Sequence, residues 1–446
     1  MIRKTLRITV LVAIALFAVI ACSKNADDDR IVLRHSFWGA YHDLALWQQI
    51  KHDFEELHPN VNVKLEYTPT DYRTKIRLQM IAGTAADVVC MDDESQAGFA
   101  VHGHLENLDP YIERDRDELQ IEDFLPTSLE SLQWNGIQYS MPWDGFTVLI
   151  FCNLDLFDEA GIPYPDTSWT YEDFRQIAIA LTKDHDGDGR IDQFGTSLAF
   201  SFLGSETFLW AWGADVIDRE AFRSRFDTPE AHDAIEFLRR LVIVDNASPQ
   251  AGQMPGIASE IAILTGRLAM VPGPTYLMQN LRATEGMRWD VFHMPKGPTG
   301  IRATRASWDG IAIYPGSDKK ELAWEYIKFV LSRQAQQYIG EANRAMPVRR
   351  QDVYDFFLKE DREQHDERFL EATEYAFLTP AVTKFDAMDN ATARWLDRIR
   401  TGSSTVEEAL ANLSAEYNEM LEADRQFFAT QNTVWASPKT YSQTAQ

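Results

Sequence analysis

The chain has 446 residues, of which 45% are hydrophobic and 25% charged, and its formal net charge is −25. Such a length and apolar content can bury a full core and suggest two domains or more. So acidic a surface repels nucleic acid and anionic lipid, which excludes both as general partners, and it says little about a small ligand.

Arg3, Lys4 and Arg7 precede an apolar run over 8–21, the order of a secretory signal. As a helix the run would span roughly 21 Å against a hydrocarbon core of ~30 Å, so a permanent transmembrane helix is the poorer reading. Its end, Val19-Ile20-Ala21-Cys22, resembles the lipobox of bacterial lipoproteins. That resemblance implies removal of 1–21, a lipid on Cys22 and a polar tether over 22–30, with an ordinary signal as the alternative. Cys90 and Cys152 sit in apolar, strand-like runs without metal-ligand spacing. They read as buried thiols, and a disulfide between them stays open.

Ile31, Leu33, His35 and Phe37 alternate as a first strand, and Leu44, Trp47, Ile50, Phe54 and Leu57 share one face of a helix that Pro59 stops. Val61, Val63, Leu65 and Tyr67 alternate again. Tyr72, Ile76 and Met80 are spaced for a short helix ended by Gly83, and 87–91 is a compact apolar run suited to a buried parallel strand. The order βαβαβ predicts a layered α/β domain. Later helix starts are marked by Thr170 with Asp173, Thr228 before Pro229, Asp318 with Glu321, and Ser404 with Glu407. Short apolar strands fall at 268–271 and 310–313, and 431–446 reads as a flexible tail.

Between these elements, 184–192 places oxygens at alternate positions around Gly189, as a loop wrapping a hard cation would. It resembles the first nine positions of an EF-hand loop, but the twelfth is Gly195 rather than a glutamate. The expected calcium ligands are Asp184, Asp186, Asp188, the Arg190 carbonyl and Asp192, and a solvated acidic turn is the alternative.

Several segments in common order are similar to the family-1 extracellular solute-binding proteins, relatives of maltose-binding protein. They are Phe37-Trp38-Gly39, Ala85-Ala86-Asp87-Val88-Val89 before Asp92-Asp93, and Gly136 to Trp143. Trp210-Ala211-Trp212-Gly213, Gly266 to Met270 before Gly273-Pro274, Met294-Pro295, Ser307-Trp308-Asp309-Gly310 and Asn343 to Val348 continue the series. The resemblance implies a type II-like periplasmic-binding-protein fold, with two discontinuous α/β lobes joined by hinge crossings. The first lobe would comprise 31–142 and 303–345, and the second 143–302 and 346–430. It also implies a monomeric, non-enzymatic capture subunit of an ABC importer, held outside the cytoplasm and serving a membrane permease. Some relatives carry structural calcium in a loop like 184–192, where it would stiffen the second lobe.

A sugar presents C–H patches and a rim of hydroxyls, so its receptor needs aromatic faces beside planar polar groups. The matching segments supply Trp38, Trp143, Trp210, Trp212, Tyr276 and Trp308 beside Asp92, Asp93, Asp144, Asp309 and Arg344. Trp47 and Trp324 read as core instead. Asp92 and Asp93 could serve only as helix caps, and Arg344 only as an ion-pair partner. Thr275-Tyr276 stands where the family often has tryptophan, which would alter the stacking surface. Carboxylates beside tryptophans also suit a glycan-degrading enzyme or a polyamine receptor. No Ser–His–Asp signature, nucleophile elbow, phosphate loop or zinc-type histidine spacing accompanies them.

Overall fold

The computed structural model describes residues 30–250, 252–254, 259–358 and 363–431. The expected signal, Cys22 and nearly all of the tether and tail lie outside these residues. Among the described residues no helix is long and apolar enough to cross a membrane.

The alternating apolar residues form β1 (Ile31–Phe37) and β2 (Val61–Tyr67), joined by α1 (Tyr41–Leu57). A second helix, α2 (Tyr72–Ile81), leads to β3 (Val88–Asp92), and both pairings of β1 are parallel. The remaining strands of the main sheet are β4 (Met141–Asn153), β5 (Phe194–Thr196), β6 (Leu268–Pro274), β7 (Trp289–Phe292), β8 (Thr304–Ile313) and β9 (Ala376–Leu378). The order is β2-β1-β3-β8-β4-β6-β5, with β7 also on β4 and β9 on β8. Both faces are covered. Val89, Met91, Ile150 and Cys152 join one apolar cluster, whereas Val88, Cys90, Leu149 and Phe151 join the other. Odd and even residues of one strand thus feed opposite cores, which explains why these strands read as continuous apolar runs. Cys90 and Cys152 are buried free thiols.

Strand β4 links the two halves of the sheet. Its residues 141–147 pair with β8, and 148–153 with β6 and β7. The chain returns on β8 and crosses again at 344–347, where Met346 and Gly145 exchange backbone hydrogen bonds of 2.8 and 3.1 Å. Just past this crossing, Val348 is bonded to elements of the first lobe. Leu125 donates to the Val348 carbonyl at 2.8 Å, and Val348 donates to Gln336 Oε1 at 2.9 Å on α5 (Arg333–Glu341).

Thr170 and Asp173 form the expected capping box, and Thr228 caps the helix opening at Pro229. The other two starts shift by about a residue. The helix expected at Asp318 is α4 (Lys320–Val330), preceded by α3 (Phe202–Ala211). Thr405 Oγ1, rather than Ser404, accepts from Glu408 N at 3.1 Å and opens α7 (Val406–Gln431), which packs on α6 (Phe385–Arg400).

The first crossing needs a glycine because Trp308 lies flat upon it. A Cβ on Gly145 would sit 2.2 Å from Trp308 Cε3. Overpacking of this kind costs ~1–3 kcal/mol. Gly145→Ala should therefore lower the urea midpoint at unchanged m-value, and an unchanged midpoint would contradict this packing.

Candidate functional site

A cleft of about 960 Å³ opens where β1 and β3 end, the position that open α/β sheets offer to ligands. The first-lobe wall carries Trp38, Tyr72, Arg73, Asp92 and Glu94, and the second-lobe wall Phe146, Tyr276, Gln279, Asp386 and Asn390. Arg305, Ser307, Asp309 and Arg344 form the floor at the crossings. Aromatic surface thus faces the cleft from both sides. The Trp38 ring lies 5.1 Å from Tyr72, and half-exposed Tyr276 meets Phe146 edge-on at 5.8 Å.

Alternation along β8 sorts the floor. Arg305, Ser307 and Asp309 line the cleft, while Trp308 between them points into the opposite core and is fully buried. On β4, Phe146 faces the cleft and Trp143, also buried, lies tilted 4.7 Å from Trp47. The register sets Asp92 of β3, Asp309 of β8 and Asp144 of β4 side by side. Like charges directly opposite on a sheet repel, so such a row stands only with cations among it.

Three guanidiniums supply them. Arg344 reaches Asp43 at 2.9 Å, Asp309 at 3.3 Å and also Asp144, with its charge 4.5 Å over the Trp143 ring. Arg73 holds Asp92 at 2.7 Å and Glu94 at 3.0 Å. The buried Arg305 touches Asp93 at 3.4 Å, Glu206 at 3.7 Å and also Glu94, linking carboxyls of both lobes. Asp43 also anchors the first cleft loop, accepting from Ala40 N at 2.7 Å. Asp93 stands behind the wall, accepting from Ser307 Oγ at 2.8 Å. Asp92 caps the next turn through Ser95 N at 2.8 Å while facing the cleft.

The carboxyls outnumber the guanidiniums, and their proton affinities divide accordingly. Burial alone would raise Asp92, but Arg73 and hydrogen bonds from Glu94 and Ser95 outweigh it and leave it below the usual aspartate value. Burial, then Asp92, Asp93 and Asp43, hold Asp309 well above that value. Glu94 is raised by burial against the pull of Arg305, with Asp93 and Asp92 adding to the rise. Glu206 on α3 is pushed up to about 8 by burial, which Arg305 only partly offsets.

Of the residues expected at the site, the cleft gathers Trp38, Asp92, Tyr276, Asp309 and Arg344. Asp93, Trp143 and Asp144 back it. Trp210 is buried, stacked 5.1 Å from Phe377 and donating to Asp215 Oδ1 at 3.1 Å. Trp212 lines a separate hollow with Tyr171, Phe237 and Lys296. Sequence reading missed Arg73, Arg305, Phe146, Asp386 and Asn390. For Arg305 the signal was available, two and four residues before Ser307 and Asp309 on one strand face.

In the acidic loop, Asp184, Asp186 and Asp188 bring ligand atoms within 4.8 Å of one another. Gly187 (φ 76°) and Gly189 (φ 87°) allow the bends. Asp184 accepts from Gly187 N and Gly189 N at 2.7 and 2.9 Å, and Arg190 N donates to Asp188 at 2.8 Å. Asp192 closes the loop on His185 N at 2.8 Å. Three converging carboxylates fit a hard divalent cation.

Two lobes, three crossings and a polar-aromatic cleft between them define the architecture of a two-lobed solute-binding protein. Residues 39–337 match the model of the bacterial extracellular solute-binding proteins, and the chain belongs to that family. An ABC substrate-binding protein from Listeria monocytogenes in complex with cycloalternan superposes with a TM-score of 0.82 at 23% identity, covering 88% of this chain and 100% of that one. Maltose-bound MalE3 of T. maritima superposes with a TM-score of 0.74 at 23% identity, covering 86% and 98%. The maltotriose-binding protein of Pyrococcus abyssi (strain GE5 / Orsay) is 22% identical over 367 residues, 80% of this chain and 75% of its own.

Because native Glu206 keeps its proton up to about pH 8 and an unfolded glutamate only to about 4.5, folding takes up a proton between these values. Stability from this group is therefore lost as pH rises through that window. Glu206→Gln, an isostere of the protonated form, should flatten the fall in melting temperature from pH 5 to 8.5. An unchanged slope would contradict the assignment.

Proposed function

We propose that this chain is the extracytoplasmic capture subunit of an ABC importer, binding a sugar or oligosaccharide between its lobes and delivering it to a membrane permease. The observation that carries the reading is the cleft itself, with Trp38 on one wall, Tyr276 and Phe146 on the other, and a floor of carboxylates and guanidiniums. Rings stack on the C–H faces of a sugar, and Asp92, Asp309 and Arg344 are the groups to meet its hydroxyls. Relatives that bind maltotriose, maltose and cycloalternan support a glycan ligand. Contacts made from both lobes favour the closed form over the open one, and closure shifts only by that difference. The closed pair of lobes then offers the permease a composite face.

Calorimetry with a panel of oligosaccharides and polyamines tests this directly. A central aromatic anchor is worth ~2 kcal/mol or more, so Trp38→Ala and Tyr276→Ala should each weaken sugar binding by roughly thirtyfold, while the buried Trp308→Phe leaves the stacking surface intact. Preference for polyamines, or turnover of a glycan, would overturn the sugar-receptor reading.

The family places the mature chain outside the cytoplasm, and we infer that a lipid on Cys22 tethers it there. Cys22→Ser should release the protein from the membrane fraction, and retention would contradict the anchor. For the 184–192 loop we propose calcium as a structural ion on Asp184, Asp186 and Asp188, aided by the Arg190 carbonyl and Asp192. Calcium should raise the melting temperature relative to EDTA, and Asp186→Asn should remove the difference. Equal melting in both conditions would mark the loop as a solvated turn.

A further inference from the structure

Beyond the cleft floor the lobes meet along one flank, where three contacts follow one another. At the cleft rim, Asp386 of α6 pairs with Arg77 of α2 at 2.9 Å and with Arg73 at 3.7 Å, and the Arg73 guanidinium lies 5.2 Å over the Phe385 ring. Next, the short helix Gln96–Ala100 after β3 meets the backbone that leads into α6. A Cβ on Gly98 would sit 2.7 Å from the Thr383 carbonyl oxygen. Thr383 is itself pinned to α7, because its N–H donates to Asp424 Oδ2 at 3.3 Å and its hydroxyl donates to the same carboxyl.

The third contact is aromatic. One turn beyond Asp424, Phe427 and Phe428 of α7 reach Trp134 of the first lobe, with ring centres 6.0 and 5.6 Å from the indole. Trp134 stands on the hairpin of Gln133–Trp134 with Ile137–Gln138. Phe222 of the second lobe lies 5.4 Å from Phe428, and Arg425 ties its carbonyl to α7 at 2.6 Å. Exposure decides which contact holds. Arg73, Arg77 and Asp386 have side chains 35%, 42% and 37% exposed, where ion pairs contribute little. Trp134 and Phe428 are each 5% exposed, so rings from two lobes are buried against one another well away from the cleft aromatics.

We propose that this flank is a clasp built into the fold: Gly98 lets the two backbones meet, the end of α7 grips Trp134, and together they hold the lobes close before solute arrives. A receptor's apparent affinity is its intrinsic affinity reduced by the fraction of molecules already competent to bind. The clasp raises that fraction from outside the cleft, without touching the guest. Gly98 and Phe428 are thus positioning residues, and the C-terminal helix, which spans the seam, helps set how tightly the solute is held.

Two variants test the clasp while leaving every cleft residue in place. Gly98→Ala adds a methyl where the other lobe's backbone stands, and alanine suits a helix better than glycine, so the first lobe keeps its fold while the lobes are wedged apart. Phe428→Ala removes the ring at the outer end. Small-angle X-ray scattering of the mature chain in plain buffer should give a larger radius of gyration for each variant than for the native protein. Calorimetry with an oligosaccharide that the native chain binds should show affinity weakened by roughly tenfold, the worth of an aromatic pair. Should Phe428→Ala fail to fold, Gly98→Ala carries the test alone. Native scattering and native affinity in Gly98→Ala would overturn the clasp, and so would tighter binding, which would make the contact a brake on closure. The scattering comparison uses no sugar, so it stands or falls separately from the sugar-receptor reading.

Discussion

The register of three neighbouring strands sets Asp92, Asp309 and Asp144 in one row, and the rest of the cleft follows from how that row is held. Negative charges so close and so little hydrated stand only among cations. Arg344 answers from the third crossing, Arg73 from α2 and Arg305 from β8. Buried ion pairs contribute little net stability, because desolvation offsets most of the attraction, yet removing one partner costs ~3–5 kcal/mol. The value of this lattice is therefore positional. It fixes strand ends and side chains before any ligand arrives.

The same guanidiniums belong to both lobes in effect. Arg305 joins Glu94 of the first lobe to Glu206 of the second, and Arg344 ties the crossing to the start of α1 through Asp43. Rings stand on both walls beside charged groups, and charge fills the floor, which suits a guest with apolar faces and a polar edge.

Much of the scaffold was legible because it is local. Alternation placed β1 and β2, and the Thr170–Asp173 spacing placed its helix. The site was legible only in part. Trp38 and Asp309 lie where a strand ends or faces the cleft, but Trp308 does not, because β8 starts at Thr304 rather than at Gly310. Once the strand is that long, parity sends Ser307 and Asp309 to the cleft and Trp308 to the core above Gly145. Trp210 failed as a cleft residue for a similar reason, being swallowed by the second-lobe core beside Phe377. Arg73, Asp386 and Asn390 reach the cleft through tertiary packing, which no local pattern records.

The most direct measurement is a crystal structure of the chain with the oligosaccharide that calorimetry shows to bind tightest. A sugar ring held between Trp38 and Tyr276, with hydroxyls on Asp92, Asp309 or Arg344 and the lobes closed over it, is the predicted result. A glycan seated instead against Trp212 in its separate hollow, with the central cleft empty, would contradict the account.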